Sequence, residues 1–442
     1  MQKFYDLIIV GGGAAGITAM IEARKFNFNA KILLISAEKK FYSKCALPFL
    51  ISNEVKTEKI SQSVEQMCKS RNVDFVFENA IAIDIKNKSV KTKNSEFFYK
   101  SLVIATGSYC EIPKIPEVDR EGVFTLKSLE DAEKIKSYAK KCKSALVVGS
   151  GATGIEIAVS LKKLNLNVTI VEISDAILPF CLSKDFSEIV AKKLKENGIK
   201  LLTNSKIEKI LGDIKVQGAI ISGNEVSTDM IVFCTGLKPN IKIAKEAGIK
   251  VDKGILVDEK MQTSINGIFA AGDCAQIKDR ITSEKILSQL GTTAIREAEI
   301  AALNALGANE TLSRGIMNSI VMKIFDLQVG KTGLNEQEAK AKGFEIFTGK
   351  VKTLTKEEYF PEAKELLVKL IFSKKDLRIL GCEILGYEHV ATLVDMIAFA
   401  ILKNSTLDDF EKFDYCYNPA VIPAHNALVL AAKNARRKLK YL

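Results

Sequence analysis

An internal repeat constrains the fold of this chain more than any other feature of its sequence. The segments DLIIVGGGAAGITAMIEAR at 6–24 and SALVVGSGATGIEIAVSL at 144–161 share one plan: an apolar strand, a GxGxxG turn and a helix. In the first copy, Gly11 permits the tight turn, Gly13 lets the backbone approach a pyrophosphate, and Gly16 lets the helix pack closely. The second copy repeats these positions at Gly149, Gly151 and Gly154. One such turn is weak evidence, but two in matching contexts predict two dinucleotide sites on doubly wound α/β domains.

An acidic residue near the end of the next strand completes each copy. In NVTIVEISD, Glu172 ends the strand after the second turn, where a carboxylate accepts hydrogen bonds from a ribose 2′-OH. Because a carboxylate there repels a 2′-phosphate, this pattern favours NADH over NADPH. In the first copy the strand KILLIS ends at Ser36, and we assign the ribose contact to the nearest acid, Glu38.

Composition narrows the class of protein. A chain of 442 residues with 47% hydrophobic residues exceeds one core and predicts several globular domains. The net charge of +11 comes from lysines spread along the sequence without aromatic interleaving, so we expect no nucleic-acid binding. No apolar segment reaches the roughly 20 residues that cross a bilayer, and no signal peptide is visible. We therefore expect a cytoplasmic protein without membrane insertion.

The order of the remaining motifs suggests how the two dinucleotide sites are used. SLVIATGS at 101–108 follows the first repeat, and DMIVFCTGLKPN at 229–240 and GIFAAGDCA at 267–275 follow the second. One bound flavin and one exchanging nicotinamide would supply the acceptor and donor that hydride transfer needs. Along nearly the whole chain this order resembles the flavoprotein disulfide reductases of the pyridine nucleotide-disulfide oxidoreductase family.

The resemblance implies cofactor-binding roles for these motifs. The first turn, the ATG segment and the GD pair would hold FAD, with the aspartate on its ribityl chain. These positions are Gly11, Gly13, Ala14, Ala15, Gly16, Thr106, Gly107, Gly272 and Asp273. The second turn would hold NADH, with Glu156 lining the nicotinamide site and Gly236 in the CTG segment as a further cofactor contact. An ordinary turn acid at Asp273 and a helix-surface glutamate at Glu156 are the alternatives.

The resemblance also implies the domain organisation and an assembly. We predict an α/β fold with two Rossmann-like domains for FAD and NAD, followed by a C-terminal α+β dimerisation domain. The FAD-binding domain would comprise 1–114 and 244–313, the NAD-binding domain 115–243, and the dimer-interface domain 314–442. Strands such as ELLVKLIFS and RILGCEIL, followed by a helix, support the α+β assignment of the last domain. The protein would be a homodimer.

A single cysteine, in FYSKCALPFL, is the candidate redox centre. The chain has nine cysteines without a CxxC pair or a Cys/His cluster, so neither a disulfide framework nor a metal site is predicted. Cys45 has no partner five positions on, where Leu50 stands, and CALPF resembles the family's single-cysteine branch. Pro48 fits the first turn of a helix whose positive end would favour a thiolate. We expect Cys45 to be the nucleophile, with a resting buried thiol as the alternative.

The electron acceptor depends on a few positions around that cysteine. Peroxidase-like members carry a histidine in the first glycine turn, where this chain has Ala14, so a disulfide or sulfur reductase is favoured. Arg24 matches by spacing an arginine that contacts coenzyme A in coenzyme A disulfide reductases, with a solvated helix arginine as the alternative. Phe41 and Lys44 replace the serine and asparagine typical of those reductases, which weakens the prediction of bound coenzyme A.

The C-terminal segment KFDYCYNPAVIPAHNALVLAAKNA at 412–435 resembles a family stretch that reaches over the partner's flavin. Tyr417 would act in trans on Cys45 as a proton donor or thiolate stabiliser, or be an interface aromatic. Cys416 could support Cys45. His425 is not the histidine of glutathione reductase, because the HPTxxE run is absent.

These observations predict an FAD-dependent NADH oxidoreductase that reduces a small disulfide, such as coenzyme A disulfide, or polysulfide through Cys45. One alternative is an NADH oxidase that reduces O₂ through a cysteine sulfenic acid. Another is a flavoprotein reductase or redox sensor that acts on a protein partner.

Overall fold

The computed structural model describes residues 3–312 and 314–439. The chain divides into two compact units that are each discontinuous in sequence. The first comprises Met1–Glu111, Lys127–Glu133 and Leu237–Ile316, and the second comprises Ile112–Leu126, Lys134–Gly236 and Met317–Leu442. The three-domain division stays a prediction, and Ser313, at one of its boundaries, lies outside the described residues.

The first unit is built on a mainly parallel sheet. Up to residue 111 its strands are β1 (Lys3–Val10), β2 (Ile32–Ser36), β3 (Lys40–Tyr42), β4 (Ser61–Ser63), β5 (Asp74–Phe77), β6 (Ala80–Asp84), β7 (Ser89–Thr92), β8 (Glu96–Ile104) and β9 (Ser108–Cys110). The helices here are α1 (Ala14–Phe26), a 3₁₀ turn (Lys44–Ala46), α2 (Leu47–Ile51), α3 (Thr57–Ile60) and α4 (Val64–Lys69). The sheet order is β5-β2-β1-β8-β7-β6, parallel from β5 to β8. The buried run Leu7–Val10 is typical of a strand covered on both faces.

A second parallel sheet follows in the inserted segment. Its strands, together with a small antiparallel sheet, are β10 (Val123–Thr125), β11 (Ser144–Val148), β12 (Asn167–Val171), β13 (Lys200–Leu202), β14 (Ile207–Leu211), β15 (Gly218–Ile221), β16 (Asn224–Ser227) and β17 (Ile231–Phe233). The helices are α5 (Leu129–Ala139), α6 (Ala152–Lys163) and α7 (Lys184–Glu196). The order β10-β17-β11-β12-β13 is parallel throughout, while β14, β15 and β16 are antiparallel.

The chain then returns to the first unit and completes its sheet. This segment contains β18 (Leu237–Pro239), β19 (Ile255–Leu256), β20 (Ile268–Ala270), β21 (Ala275–Lys278), β22 (Lys285–Ile286), α8 (Lys242–Glu246) and α9 (Gly291–Ala305). Strand β20 pairs in parallel with β8, and β18 pairs antiparallel with β9. Helix α9 packs against α1, where the small buried side chains Ala294, Ala298 and Ala301 permit a close approach.

The C-terminal part is an antiparallel sheet covered by helices. Its elements are β23 (Ile320–Ile324), β24 (Leu327–Gly333), α10 (Glu336–Ala341), β25 (Ile346–Leu354), β26 (Glu365–Ser373), β27 (Ile379–Gly386), α11 (Val390–Leu402), α12 (Leu407–Lys412) and α13 (Ala427–Leu439). The order is β23-β24-β27-β26-β25, with α11 against β24 and β27 and α13 against β25 and β26. The predicted fold class is therefore confirmed. Within the described ranges, no helix is both long and apolar enough to span a bilayer.

Candidate active site

The two glycine turns have nearly the same backbone geometry. Gly11 has a φ of +119° and Gly149 a φ of +104°, in the region that favours glycine. A Cβ atom on Gly11 would lie 2.1 Å from the carbonyl oxygen of Ala105, and one on Gly149 would lie 2.4 Å from that of Cys234. In each unit the turn therefore presses against the end of the adjacent parallel strand and excludes any side chain.

The remaining glycines of each turn differ in what surrounds them. A Cβ on Gly16 would lie 1.7 Å from the carbonyl oxygen of Gly11, so α1 packs directly on its turn. Gly13 is the N-cap of α1, and Gly151 is the N-cap of α6. A Cβ atom added to either glycine would have no neighbouring atom within 4 Å, so both face open space. The first N–H groups of both helices thus border a space without side chains, a cradle that fits the pyrophosphates of FAD and NADH.

A network in the first unit fixes the aspartate of the GD pair. Asp273 Oδ2 accepts hydrogen bonds from Ser108 Oγ at 2.6 Å and from Lys127 Nζ at 3.0 Å. Lys127 also donates to Ser108 Oγ at 2.6 Å. Sequence reasoning missed Ser108 and Lys127, although Ser108 directly follows the ATG segment. Asp273 is held in one place by a cation, so it is more than a solvated turn acid, and its carboxylate can accept from the ribityl hydroxyls of FAD.

The ATG segment contacts the part of the chain that follows β18, within the first unit. Thr106 Oγ1 donates to the carbonyl oxygen of Asn240 at 2.6 Å, and the N–H of Asn240 donates to the carbonyl oxygen of Gly107 at 2.8 Å. Gly107 and Gly236 both have positive φ values, +69° and +117°. These contacts join the strand that leaves the first unit to the one that returns to it.

The GD loop also contacts a buried acid that sequence reasoning did not single out. The N–H of Gly272 donates to Glu297 Oε2 at 2.6 Å, and a Cβ on Gly272 would lie 2.9 Å from the Cβ of Ala15. Glu297 is only 2% exposed, and burial raises its pKa to about 8. Ala14 and Ala15 form the first turn of α1 beside this loop.

Glu38 lies at the carboxyl end of β2, on the first unit. Its N–H donates to Ser36 Oγ at 3.0 Å, and Tyr42 Oη donates to its Oε1 at 3.2 Å. The next two residues, Lys39 and Lys40, line a cavity of about 500 Å³ together with the ring of Phe77. Two lysine side chains and an aromatic ring thus line this cavity, and the contact of Glu38 with a ribose stays a prediction.

Glu172 is built into the second glycine turn. Its Oε2 accepts from the N–H and the Oγ of Ser150, at 2.8 and 2.6 Å, and its Oε1 accepts from the N–H of Ser174 at 2.9 Å. Burial raises the pKa of Glu172, but the hydrogen bonds from Ser150 and Ser174 outweigh burial and leave it below its usual range. The group is therefore ionised at neutral pH beside the phosphate cradle, and its contact with ribose stays a prediction.

Glu156 lies on α6, two residues after Gly154. It is half-buried, and burial raises its pKa to about 7. Glu156 is therefore less solvated than an exposed surface glutamate, and its role at the nicotinamide stays a prediction. A carboxyl group with this pKa can hold or release a proton near neutral pH.

Cys45 lies in the 3₁₀ turn before α2 and is exposed. The alternative of a buried thiol is therefore wrong for this cysteine. Pro48 occupies the first turn of α2, as the sequence predicts, but the helix spans only Leu47–Ile51. So short a helix contributes little dipole, which makes its support for a thiolate weaker than predicted.

Arg24 is not the solvated helix arginine considered as an alternative, because it is only 7% exposed. Its Nε donates to the carbonyl oxygen of Arg71 at 2.8 Å and its Nη2 to that of Asn72 at 2.7 Å. Its Nη1 donates to the carbonyl oxygens of Asn27 and Phe28. The guanidinium holds two turns together, and this arrangement does not favour the predicted contact with coenzyme A.

Tyr417 lies between α12 and α13 and is 53% exposed. Desolvation and the nearby phenol group of Tyr417 raise the pKa of Tyr359, a second exposed tyrosine that sequence reasoning missed. Glu357 connects the segment that carries Tyr359 to the segment that carries Tyr417, because its Oε1 accepts a hydrogen bond from the N–H of Ala424 at 2.8 Å. Cys416 and His425 are both exposed in the same segment. Two phenol groups therefore share one exposed surface of the second unit.

Comparison with known proteins adds a family match. The family model for pyridine nucleotide-disulphide oxidoreductase matches residues 5–301, and that for the dimerisation domain of this family matches residues 320–425. Together they span most of the chain.

Two curated relatives and one solved structure are similar over almost the full length. An NADH oxidase of Methanocaldococcus jannaschii is 40% identical, covering 98% of this chain and 99% of the relative. A CoA-dependent NAD(P)H sulfur oxidoreductase of Pyrococcus abyssi is 30% identical, covering 97% of each chain. The structure of an NAD-dependent persulfide reductase from A. fulgidus has a TM-score of 0.95 and 32% identity, covering 98% of this chain and 84% of the other.

Proposed function

We propose that this chain, which belongs to the pyridine nucleotide-disulphide oxidoreductase family, reduces a small disulfide or polysulfide with NADH by way of Cys45. It is an FAD-dependent NAD(P)H oxidoreductase with a C-terminal dimerisation domain. The observation that carries the finer proposal is the exposed, single sulfur of Cys45 on the unit that contains the first glycine turn. The names of two relatives, a sulfur oxidoreductase and a persulfide reductase, support the substrate class.

The proposed chemistry is a cycle of thiol–disulfide exchange at Cys45. The thiolate attacks one sulfur of the substrate, which forms a mixed disulfide and releases the other half as a thiolate or sulfide. FAD, when bound, carries the electron pair of the NADH hydride to this disulfide, so that the second product leaves and Cys45 returns to the thiolate. A bound small thiol thus takes the place of the second cysteine, and coenzyme A is one candidate for it.

The surrounding residues would bind and orient the reactants. Asp273, held by Lys127 and Ser108, would accept hydrogen bonds from the ribityl chain of FAD. Glu172, ionised beside the second turn, would bind the ribose of NADH and repel the 2′-phosphate of NADPH. Tyr417, acting from the partner subunit, would protonate the leaving thiolate.

An NADH oxidase is the second candidate, because the relative with 40% identity carries that name. In that reaction Cys45 would cycle through a sulfenic acid, and O₂ would be the final acceptor. Ala14 weighs against it, since no histidine stands in the first turn to handle protons during peroxide reduction. Reduction of a protein partner is the third candidate function, and in that reaction Cys45 would take no part.

Anaerobic titration with NADH tests the role of Cys45. The enzyme, first oxidised with the substrate disulfide, is expected to take up two electron pairs, one on FAD and one on the Cys45 adduct. The Cys45→Ser variant should take up one pair and lose disulfide reductase activity by at least about 100-fold. Cys142→Ser is the matched control and should behave as the wild type, because Cys142 belongs to no predicted site and serine can keep its hydrogen bond to the carbonyl oxygen of Tyr138.

Mass spectrometry of the intact protein, purified without reductant, separates the candidates. An adduct with the mass of coenzyme A or of added sulfur on Cys45 supports the disulfide and sulfur reductase. A one-oxygen adduct supports the oxidase. Uptake of a single electron pair by pre-oxidised wild-type enzyme would contradict both and favour reduction of a protein partner.

A further inference from the structure

The segment between β12 and α7, residues 173–183, lies against the second glycine turn. The N–H of Leu178 donates to the carbonyl oxygen of Ser150, the residue whose N–H and Oγ bind Glu172. Leu178 has a φ of +51°, a conformation that costs a branched residue free energy unless its surroundings impose it. Ile177, Leu178 and Leu182 are buried and hold the middle of this segment by apolar packing. Ile173 and Phe180 are 69% and 82% exposed, so burial does not fix the parts of the segment around these two residues.

The C-terminal sheet holds the far end of this segment at two points. Lys331 on β24 donates from Nζ to the carbonyl oxygen of Phe180 at 3.2 Å and to Glu338 Oε2 at 2.6 Å. Glu383 on β27 accepts from the N–H of Ser183 at 3.0 Å and also from its Oγ. Lys331 is 5% exposed and Glu383 is completely buried, so water does not compete for these bonds.

The first turn of α7 is anchored to the same sheet. Ser183 is the N-cap of α7, but its hydroxyl donates to Glu383 and does not cap its own helix. Asp185, in the first turn, pairs with Lys350 at 2.8 Å and with Lys369 at 2.6 Å. Lys369 also lies 4.0 Å from Glu383. Lys369 is buried, whereas Asp185 and Lys350 are partly exposed, so the network joins the start of α7 to the sheet through a buried lysine.

We propose that Lys331 and Glu383 are positioning residues for NADH, and that they hold residues 173–183 so that Glu172 and Ser150 form a ready ribose site. The inference rests on the NADH site of the proposed function but not on the identity of the acceptor. Without these two anchors the exposed part of the segment around Phe180 loses its fixed position, and nucleotide binding must then order it at a cost in affinity. The C-terminal sheet would thus serve the nucleotide site as well as dimerisation.

Binding of ADP-ribose to the holoenzyme, measured by titration calorimetry, tests this inference without turnover. Lys331→Met removes one anchor, and Ser183→Ala weakens the other, because it deletes the hydroxyl group but leaves the hydrogen bond from the N–H to Glu383. Each is expected to raise the Kd for ADP-ribose by about 5- to 20-fold, because part of the binding free energy is spent on ordering the segment. The KM for NADH should rise similarly, while the rate of flavin reduction at saturating NADH stays within about twofold of the wild type.

Asp326→Asn is the matched control. Lys193 on α7 and Asp326 form an ion pair at 2.6 Å that also joins α7 to the C-terminal sheet, but Lys193 lies in the last turns of the helix. This variant should bind ADP-ribose as the wild type does, whatever its melting temperature.

Melting temperatures of all variants distinguish positioning from plain stabilisation. The inference is overturned if Lys331→Met and Ser183→Ala melt at lower temperature yet bind ADP-ribose with the wild-type Kd, and the proposed function would then stand unaffected. It is equally overturned if they lower the rate of flavin reduction at saturation and leave the Kd unchanged. Wild-type enzyme that does not bind ADP-ribose would contradict both the inference and the NADH site.

Discussion

Three glutamates show how the environment decides what one residue type can do. Hydrogen bonds from Ser150 and Ser174 keep the pKa of Glu172 low, although burial opposes them. Burial raises the pKa of Glu156 to about 7 and that of Glu297 to about 8. The sequence indicated Glu172 by its spacing to a glycine turn, and the family resemblance indicated Glu156. It gave no signal for Glu297, whose burial depends on the packing of α9 against α1.

The Glu297 carboxyl group predicts a pH dependence of stability. Its pKa of about 8 in the folded protein lies above the ordinary 4.5, so the folded state keeps a proton that the unfolded chain releases between these values. The free energy of unfolding therefore falls as pH rises through this window. Glu297→Gln keeps an acceptor for the N–H of Gly272 and removes the titration. It should match the wild type at pH 4.5 and be more stable by roughly 2 to 4 kcal/mol at pH 9.

Urea unfolding at pH 4.5, 7 and 9 with bound FAD would measure this difference. Glu299→Gln, an exposed glutamate on the same helix, is the control and should show no such trend. Equal stability of Glu297→Gln and wild type at pH 9 would mean that folding does not raise the pKa of Glu297.

At the scale of elements, the glycine turns were predictable because their requirements are local. Each turn requires a preceding strand, a glycine with positive φ and a closely packed helix, and all three lie within about ten residues of sequence. The cap of α7 was not predictable in this way, since its partner Glu383 lies 200 residues from Ser183. The shortness of α2 escaped prediction too, because Pro48 signals where a helix starts and not where it ends.

The first turn predicts opposite outcomes for two substitutions of the same size. Gly13→Ala places its Cβ in open space, so the fold should persist while the methyl group enters the pyrophosphate cradle. We expect normal melting of the FAD-free protein but at least about tenfold weaker FAD retention. Gly16→Ala places its Cβ 1.7 Å from the carbonyl oxygen of Gly11, which should lower stability by about 2 kcal/mol or more. Flavin content after gel filtration and thermal melting measure the two effects.

The second glycine turn allows the same pair of substitutions to be tested for NADH. Gly151→Ala should retain FAD and raise the KM for NADH at least about tenfold, since its Cβ also enters open space. Gly154→Ala should destabilise the protein, because its Cβ would lie 2.1 Å from the carbonyl oxygen of Gly149. Loss of FAD from Gly151→Ala, or of NADH binding from Gly13→Ala with full FAD, would reverse the assignment of the two turns.

At the scale of the whole molecule, the dimerisation domain matched over residues 320–425 raises the question of which subunit completes each active site. Tyr417 and Tyr359 are neighbouring aromatic side chains and are 53% and 70% exposed. A surface of this kind is suited to face a second subunit. Sequence alone suggested the role of Tyr417 in trans, but the contribution of Tyr359 needed the folded chain, because 58 positions separate the two in sequence.

Heterodimers purified with two different tags test the proposed action in trans. When one subunit carries Cys45→Ser and the other Tyr417→Phe, one of the two sites receives both native groups only if Tyr417 serves the partner. We expect about half of the wild-type activity from this heterodimer, and little from either variant homodimer. When both substitutions are on one subunit and the other is wild type, neither site is complete in trans, so activity should be lost. If Tyr417 instead serves its own subunit, the two heterodimers exchange these results, since the wild-type subunit then keeps one complete site.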